Sequence, residues 1–319
     1  MNRRDFIVKS AQAAGGLGLV GLAGGLSACA STVPLFKISL AEWSLHNLLD
    51  AGTFDHLDFA RSARNDYGLD AVEYVNRFFR DKGKDRAYLR EMKTRADGEG
   101  VRSLLIMCDT AVSIADPDEG QRIQAVENHY QWVEAAKFLG CHTIRVNVWS
   151  SGSYTEQMAY ATDGLRRLTE FGAVHDINVV VENHGGLSSN IEWLIAVIKG
   201  VDHPRCGTLP DFGNFTISEG EEYDRYRGVE AMMPYAKGVS AKASHFDEQG
   251  NDTDTDFKRM LKIVLDAGYH GYVGIEYSGG NLTYQGIDYQ LGELSDPDGI
   301  RATRDLLLRV REELAETYA

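Results

Sequence analysis

Acidic residues that close apolar runs carry the most specific chemistry in this chain of 319 residues. The stretch NVVVENHGG sets three valines before Glu182, Asn183 and His184, and two glycines follow. Valines in a row read as a strand buried on both faces, as in a parallel sheet covered by helices. A strand that ends in a carboxylate and an imidazole puts reactive groups on a sheet edge, where barrel sites lie. The pattern recurs downstream: GTLPDFGN brings Asp211, GVSAK brings Ser240 and Lys242, and YVGIEY brings Glu276. The steps from Glu182 to Asp211 and on to Ser240 are each about one βα unit, on the order of 30 residues. Side chains spaced in this way can converge over one mouth. Three gathered carboxylates repel, and all stay ionised at neutral pH only around a cation. Oxygen-rich sites of this kind suit Mn²⁺ or Mg²⁺, and an added imidazole admits Zn²⁺ or Co²⁺. Read singly, each acid is only a strand-end residue that caps or pairs.

The elements that must position these groups alternate along the chain. Strands are expected over KISLAEW (37–43), Ala71–Val75, VRSLLIMC (101–108), HTIRVNVW (142–149), the valine run, GTLPDFGN (207–214), GVSAK (238–242) and YVGIEY (272–277). Helical spacing of apolar residues fills the gaps, most clearly over 121–139 and 156–175. Gly268 stands where a helix over 256–267 would end. Eight strands alternating with helices predict a single-domain α/β fold, a (β/α)8 TIM barrel over residues 31–319. A doubly wound open sheet is the alternative, but no G-x-G-x-x-G follows the first strand.

Composition sets further bounds. The formal net charge of -14 disfavours a nucleic-acid partner, and no basic patch interrupts it. Cys29, Cys108, Cys141 and Cys206 lack metal-type spacing, and the last three read as buried thiols. Residues 1–30 read as an export signal: Arg3 and Arg4 precede a Gly/Ala/Leu-rich run too short to span a bilayer. LSAC, ending at Cys29, resembles a lipobox. The expectation is export by the twin-arginine route to the periplasm, or anchoring as a lipoprotein, with the membrane touched only through a lipid on Cys29. Outside the cytoplasm, free sugars and glycosides are commoner than sugar phosphates.

In order, VVVENHGG, TLPDFGNF, GVSAK and GYVGIEY resemble the xylose isomerase-like TIM-barrel family of sugar isomerases and epimerases. SLAEWSLH on the first strand and AVEYVNRFF on the second extend the likeness over most of the chain after the leader. The resemblance implies a divalent metal (Mn²⁺, Mg²⁺, Co²⁺ or Zn²⁺) held by Glu182, Asp211 and Glu276. It also implies a histidine at the position held here by Ser240. His245, five residues on, either swings in as the fourth ligand or is an ordinary surface histidine. Lys242 matches a lysine frequent in the family, and Asn214 stands where some members carry another histidine.

Isomerising or epimerising a sugar removes a proton beside a carbonyl and stabilises the enediolate that forms. The resemblance offers Glu182 and Glu276 as the acid–base pair. Lys242 is either a cationic partner for the oxyanion or a structural ion pair with Asp211 or Glu276. Substrate contacts are expected from Trp43, Arg145, Asn147, His184 and Asn214. Trp43 and Trp149, at the ends of the first and fourth expected strands, could equally be core, and Arg145 and Asn147, if they face the barrel interior, need buried partners. The partner is a small sugar, and a homo-oligomer stays open. The same enediolate serves β-elimination from a 3-keto glycoside. Other readings are a sugar-binding lipoprotein without catalysis and an abasic-DNA endonuclease on the same barrel, which would want more strand-end histidines.

Overall fold

Short apolar strands meet amphipathic helices all the way round this protein, and that alternation closes the sheet. The computed structural model describes residues 34–318 apart from 285, 286 and 291, with backbone alone over the rest of 281–290. The sheet comprises β1 (Lys37–Ala41), β2 (Ala71–Val75), β3 (Arg102–Cys108), β4 (Thr143–Val146), β5 (Asn178–Glu182), β6 (Cys206–Leu209), β7 (Val239–Ala243) and β8 (Tyr272–Tyr277). Outside it lie α1 (Phe59–Asn65), α2 (Arg86–Gly98), α3 (Glu119–Leu139), α4 (Tyr154–Val174), α5 (Ile191–Val201), α6 (Arg225–Met232), α7 (Phe257–Asp266) and α8 (Asp296–Ala315). Neighbouring strands pair in parallel from β6 back to β1 and on through β8 to β7. The last seam, β6 against β7, closes through single bridges at Thr208–Ala236 and Asp211–Ser240. There the Ser240 N–H donates to Pro210 O at 2.8 Å and the Phe212 N–H to Ser240 O at 3.1 Å. The result is the (β/α)8 barrel that the sequence predicts, and the closed seam disposes of the open-sheet alternative.

Strand alternation sorts the side chains into two sets. Val179 and Val181 of β5 point outward into the large core shared with the helices, as do Ile144, Val146, Ala241, Val273 and Ile275. Val180 points inward with Ala41, Val75, Leu105, Met107 and Leu209, which plug the barrel. Residues two further along share the inward direction: Glu182 after Val180, Asp211 after Leu209, and Glu276 after Gly274. The apolar plug is thus the floor on which the acids stand.

Helix ends are fixed by side chains the sequence supplies. Ser153 and Glu156 form a capping box at the start of α4. Ser295 caps α8, with Pro297 in its first turn. Gly140 ends α3 in the left-handed region, at φ 89°. Cys108, Cys141 and Cys206 are free and buried. The expected leader, with Arg3, Arg4 and Cys29, lies outside the described residues.

Three expected strands come out shorter by two residues or more, and the first of them, β1, stops at Ala41 because Glu42 and Trp43 enter the turn that follows. β6 stops at Leu209 because Pro210 has no N–H to continue the ladder, so Asp211 stands just beyond the strand. β4 stops at Val146, and Asn147 to Trp149 leave the sheet. Two small antiparallel ribbons were not foreseen, Thr216–Ser218 with Glu221–Glu222 and Asn281–Tyr284 with Ile287–Gln290.

The turn around Ile114 and Ala115 seals against α4 at Gly164, where an added Cβ would overlap the Ile114 carbonyl oxygen. That turn also anchors the segment after β4, because the Ser150 hydroxyl donates to Ala115 O at 2.5 Å. Gly164→Ala is therefore expected to destabilise the protein by about 1–3 kcal/mol through overpacking. Urea unfolding of the variant checks this, and an unchanged midpoint would mean that the contact yields freely.

Candidate active site

Glu182, Asp211 and Glu276 are brought together at the C-terminal end of the barrel. Each offers one carboxylate oxygen, and these atoms lie within 4.8 Å of one another. All three are buried, with exposures of 0%, 0% and 3%. Each is held differently. Glu182 Oε1 accepts from the Asn214 side-chain amide at 3.1 Å. Its Oε2 lies 2.8 Å from Arg145 Nε, but the N–H is not aimed along that contact, so the attraction is Coulombic and the oxygen makes no hydrogen bond. Asp211 Oδ1 accepts the backbone N–H groups of Gly213 and Asn214 at 2.8 and 2.9 Å. Its Oδ2 accepts from the Ser240 hydroxyl at 2.8 Å. Glu276 Oε1 accepts from Lys242 Nζ at 2.6 Å, and its Oε2 lies 3.3 Å from the same Ser240 hydroxyl.

Sequence explains these placements. Asn183 faces away from Glu182 and bolts the next strand end in place. Its amide donates to the carbonyls of Asp211 and Asn214, each at 3.0 Å, and its oxygen accepts from the Asp211 N–H at 2.8 Å. Gly213 leaves room for the Lys242 stem, since a Cβ there would stand 2.8 Å from Lys242 Cδ. Arg145 does face the barrel interior, and its partners are Glu182 and Asp109. Asn147 donates to the same Asp109 oxygen at 3.1 Å.

A cavity of about 830 Å³ opens above the acids, lined by Trp43, Arg145, Asn147, His184, Asn214, Lys242 and Glu276. All five expected substrate-contact residues therefore border one space. His245 does not. It is half exposed and paired with Asp254, Nδ1 to Oδ2 at 3.0 Å, because the chain after β7 turns outward into a loop. The structure corrects its assignment as a metal ligand; it is the surface histidine of the alternative reading. His46 is buried behind Trp43 rather than beside the cavity. Residues that the sequence reading missed include Asp109, Arg77 and Arg80, which also line the cavity. Asp109 directly follows the apolar run of β3, the same signal that singled out Glu182. Glu73, buried lower in the barrel, accepts from the Ser39 hydroxyl at 2.6 Å.

Charge is crowded here. Burial, opposed by Arg145 and reinforced by Glu276, lifts Glu182 to about 7. Burial, opposed by Lys242 and reinforced by Glu276 and Glu182, lifts Asp211 to about 7. Glu276 goes the other way: burial would raise it, but the adjacent Lys242 outweighs that and keeps it ionised. His184 opens onto the cavity, yet lies deep enough that desolvation, then Arg145 and Lys242, depress it to about 4. The donor set suits a divalent ion: three carboxylates, one oxygen without a hydrogen bond, and acids whose mutual repulsion such an ion relieves.

Residues 62–309 match the family described as "Xylose isomerase-like TIM barrel", and the chain belongs to that family. A Xenopus laevis protein whose name assigns it, provisionally, as a hydroxypyruvate isomerase is 22% identical over 148 residues, 46% of this chain and 53% of that protein. The chain thus spans about half the length of the curated relative it matches. In fold it is similar to D-psicose 3-epimerase from Clostridium cellulolyticum H10, solved with D-tagatose (TM-score 0.66, 14% identity, 87% of this chain and 99% of that one). It is similar also to 3-keto-D-glucoside 4-epimerase from E. coli (TM-score 0.64, 17% identity, 87% and 99%). These neighbours are sugar epimerases.

Because Glu182 and Asp211 hold protons more tightly folded than unfolded, they stabilise the ion-free protein below their ordinary values of 4.5 and 3.8. That gain is lost as pH rises through about 7. In chelator, the wild type is expected to lose stability relative to Glu182→Gln between about pH 4.5 and about pH 7. His56 and His184, both depressed to about 4, act in the opposite sense in both proteins and largely cancel in the difference. Urea midpoints across that range check it; a difference independent of pH would mean that Glu182 carries no raised pKa.

Proposed function

We propose that the chain is a metal-dependent sugar isomerase or epimerase, working by proton abstraction beside a carbonyl on a non-phosphorylated sugar or keto-sugar. One observation carries this reading. Three buried acids have ligand atoms within 4.8 Å of one another, and one of them, Glu276, borders a cavity that Lys242 and Arg145 also line. Glu182, Asp211 and Glu276 would hold the ion, and an all-oxygen donor set favours Mg²⁺ or Mn²⁺ over Zn²⁺ or Co²⁺. When bound, the ion supplies Lewis-acid charge beside the substrate oxygens.

The chain's own groups account for the proton. A carboxylate takes it from the carbon next to the carbonyl, and the electron pair moves onto the carbonyl oxygen. Glu276, kept ionised by Lys242, suits that task. Glu182, the other carboxylate of the pair, would return a proton. Returned to the former carbonyl carbon, while the adjacent hydroxyl gives its proton to the first oxygen and becomes the new carbonyl, the proton yields an isomer; returned to the same carbon from the opposite face, it yields an epimer. Lys242 stays protonated because Glu276, Asp211 and Glu182 outweigh its burial, so it meets the developing oxyanion as a cation. Arg145 and Asn214 hold Glu182 in position. Expulsion of a group β to the carbonyl from the same enediolate would make the protein a 3-keto-glycoside lyase.

Deuterium uptake at the carbon beside the carbonyl tests the reading, with Mn²⁺-loaded protein and free or 3-keto sugars in D₂O. Exchange is expected in the wild type, with Glu276→Gln slower by about 10²–10⁴-fold. A protein that binds sugar but neither takes up a divalent ion nor exchanges deuterium is a binding lipoprotein instead. Export belongs to the same proposal, supported by Arg3, Arg4 and the LSAC ending at Cys29. Replacing both arginines with lysine is expected to leave the full-length precursor in the cytoplasmic fraction; unaltered export would refute the twin-arginine route.

A further inference from the structure

The cavity is larger than the reaction centre needs. At about 830 Å³ it lies in the upper part of the roughly 300–1,000 Å³ range of small-molecule sites. A single hexose set against the three acids leaves much of it unfilled. What borders the remainder is informative, because two tryptophans line the space and their situations differ.

Trp43 is already engaged. His46 stacks on it, with ring centroids 4.7 Å apart and planes 5° from parallel, and the Arg77 guanidinium lies 5.4 Å from its ring centre. Trp149 is 55% exposed, and no ring or cation among the described residues packs on it. Its exposure does not come from a loose chain. Val148 before it is buried, and Ser150 after it is tied to Ala115 O. An indole held bare at the edge of this cavity presents a stacking face to whatever enters. The acids are at 3% exposure or less while Trp149 is 55% exposed, so the indole and the acids lie at different depths of the site.

We infer that Trp149 is the platform of an outer subsite, and that the substrate is a glycoside whose second ring, a sugar or an aryl group, stacks there while its first ring occupies the acid cluster. This rests on the proposed sugar chemistry and narrows its substrate class from free monosaccharides to ring-bearing glycosides. Trp149 is a specificity residue in this scheme and takes no part in moving the proton.

The test is calorimetric titration of Mn²⁺-loaded wild type, Trp149→Ala and Trp149→Phe with glucose, methyl β-glucoside, cellobiose and 4-nitrophenyl β-glucoside. Cellobiose or the aryl glucoside is expected to bind the wild type more tightly than glucose or the methyl glucoside do. Trp149→Ala should weaken that ligand by about tenfold and leave the others within about twofold, while Trp149→Phe keeps most of the margin. Loss confined to cellobiose names a sugar as the outer ring, and loss confined to the aryl glucoside names an aromatic aglycone. Equal weakening of all four ligands by Trp149→Ala, or weakening of none, overturns the subsite. Deuterium exchange on free keto-sugars by the wild type reads the underlying chemistry separately. Exchange with no Trp149 effect sinks the subsite alone, and a Trp149-dependent glycoside preference without exchange sinks the isomerase reading alone.

Discussion

The molecule is organised around the burial of like charges against one another. Glu182, Asp211 and Glu276 share a space in which one carboxylate would already be costly. Two cations reach into it, Arg145 from β4 and Lys242 from β7. Arg145 also answers Asp109, so four carboxylates face two cations. The excess of two negative charges is what a divalent ion carries. Without one, the site sheds charge by holding protons, as the raised Glu182 and Asp211 indicate. The crowding that raises these pKa values is thus the same feature on which the proposed cation site rests.

A closed barrel is what makes such crowding sustainable. The acids come from three strand ends, and no two neighbours in sequence have to oppose each other. The seam between β6 and β7 contributes directly, because the Asp211–Ser240 bridge that closes the sheet is also a wall of the site. Pro210 ends β6 one residue before Asp211, which frees the Asp211 carboxylate to accept from the Gly213 and Asn214 amides. Asn183 spends its whole amide on that same corner. The corner around Asp211 is therefore densely hydrogen-bonded, while Trp149 and Arg80 border the cavity.

Much of this was legible in the chain because buried strands leave a strong signal. Runs such as VVVE and YVGIE announce both a two-sided burial and a polar stop, and side-chain alternation fixes which residues face inward. What could not be read were the contacts between loops. Nothing in the spacing of His245 distinguishes a ligand that folds back from one that pairs with Asp254 on the surface. Trp43 and Trp149 look alike in sequence, and only the packing of His46 and Arg77 against the first separates them. Asp109 carried the same strand-end signal as Glu182 but had no matching motif to draw attention to it. The Asn281–Gln290 ribbon alternates apolar and polar residues, a strand signal overlooked because it follows the last barrel strand.

Ser240 stands where the resemblance implies a histidine, and its geometry says what a serine does there. An imidazole in this position would give an ion a nitrogen donor. The hydroxyl instead donates to Asp211 at 2.8 Å and stands 3.3 Å from Glu276. It therefore spaces two like-charged carboxylates and fixes their orientation. Lys242, two residues on and on the same face, clamps the far oxygen of Glu276 at 2.6 Å. One strand thus orders a pair of acids with a neutral donor and a cation, where a histidine would have shared in holding the ion. If the proposed ion binds here, its protein donors would all be oxygen, which would suit hard cations.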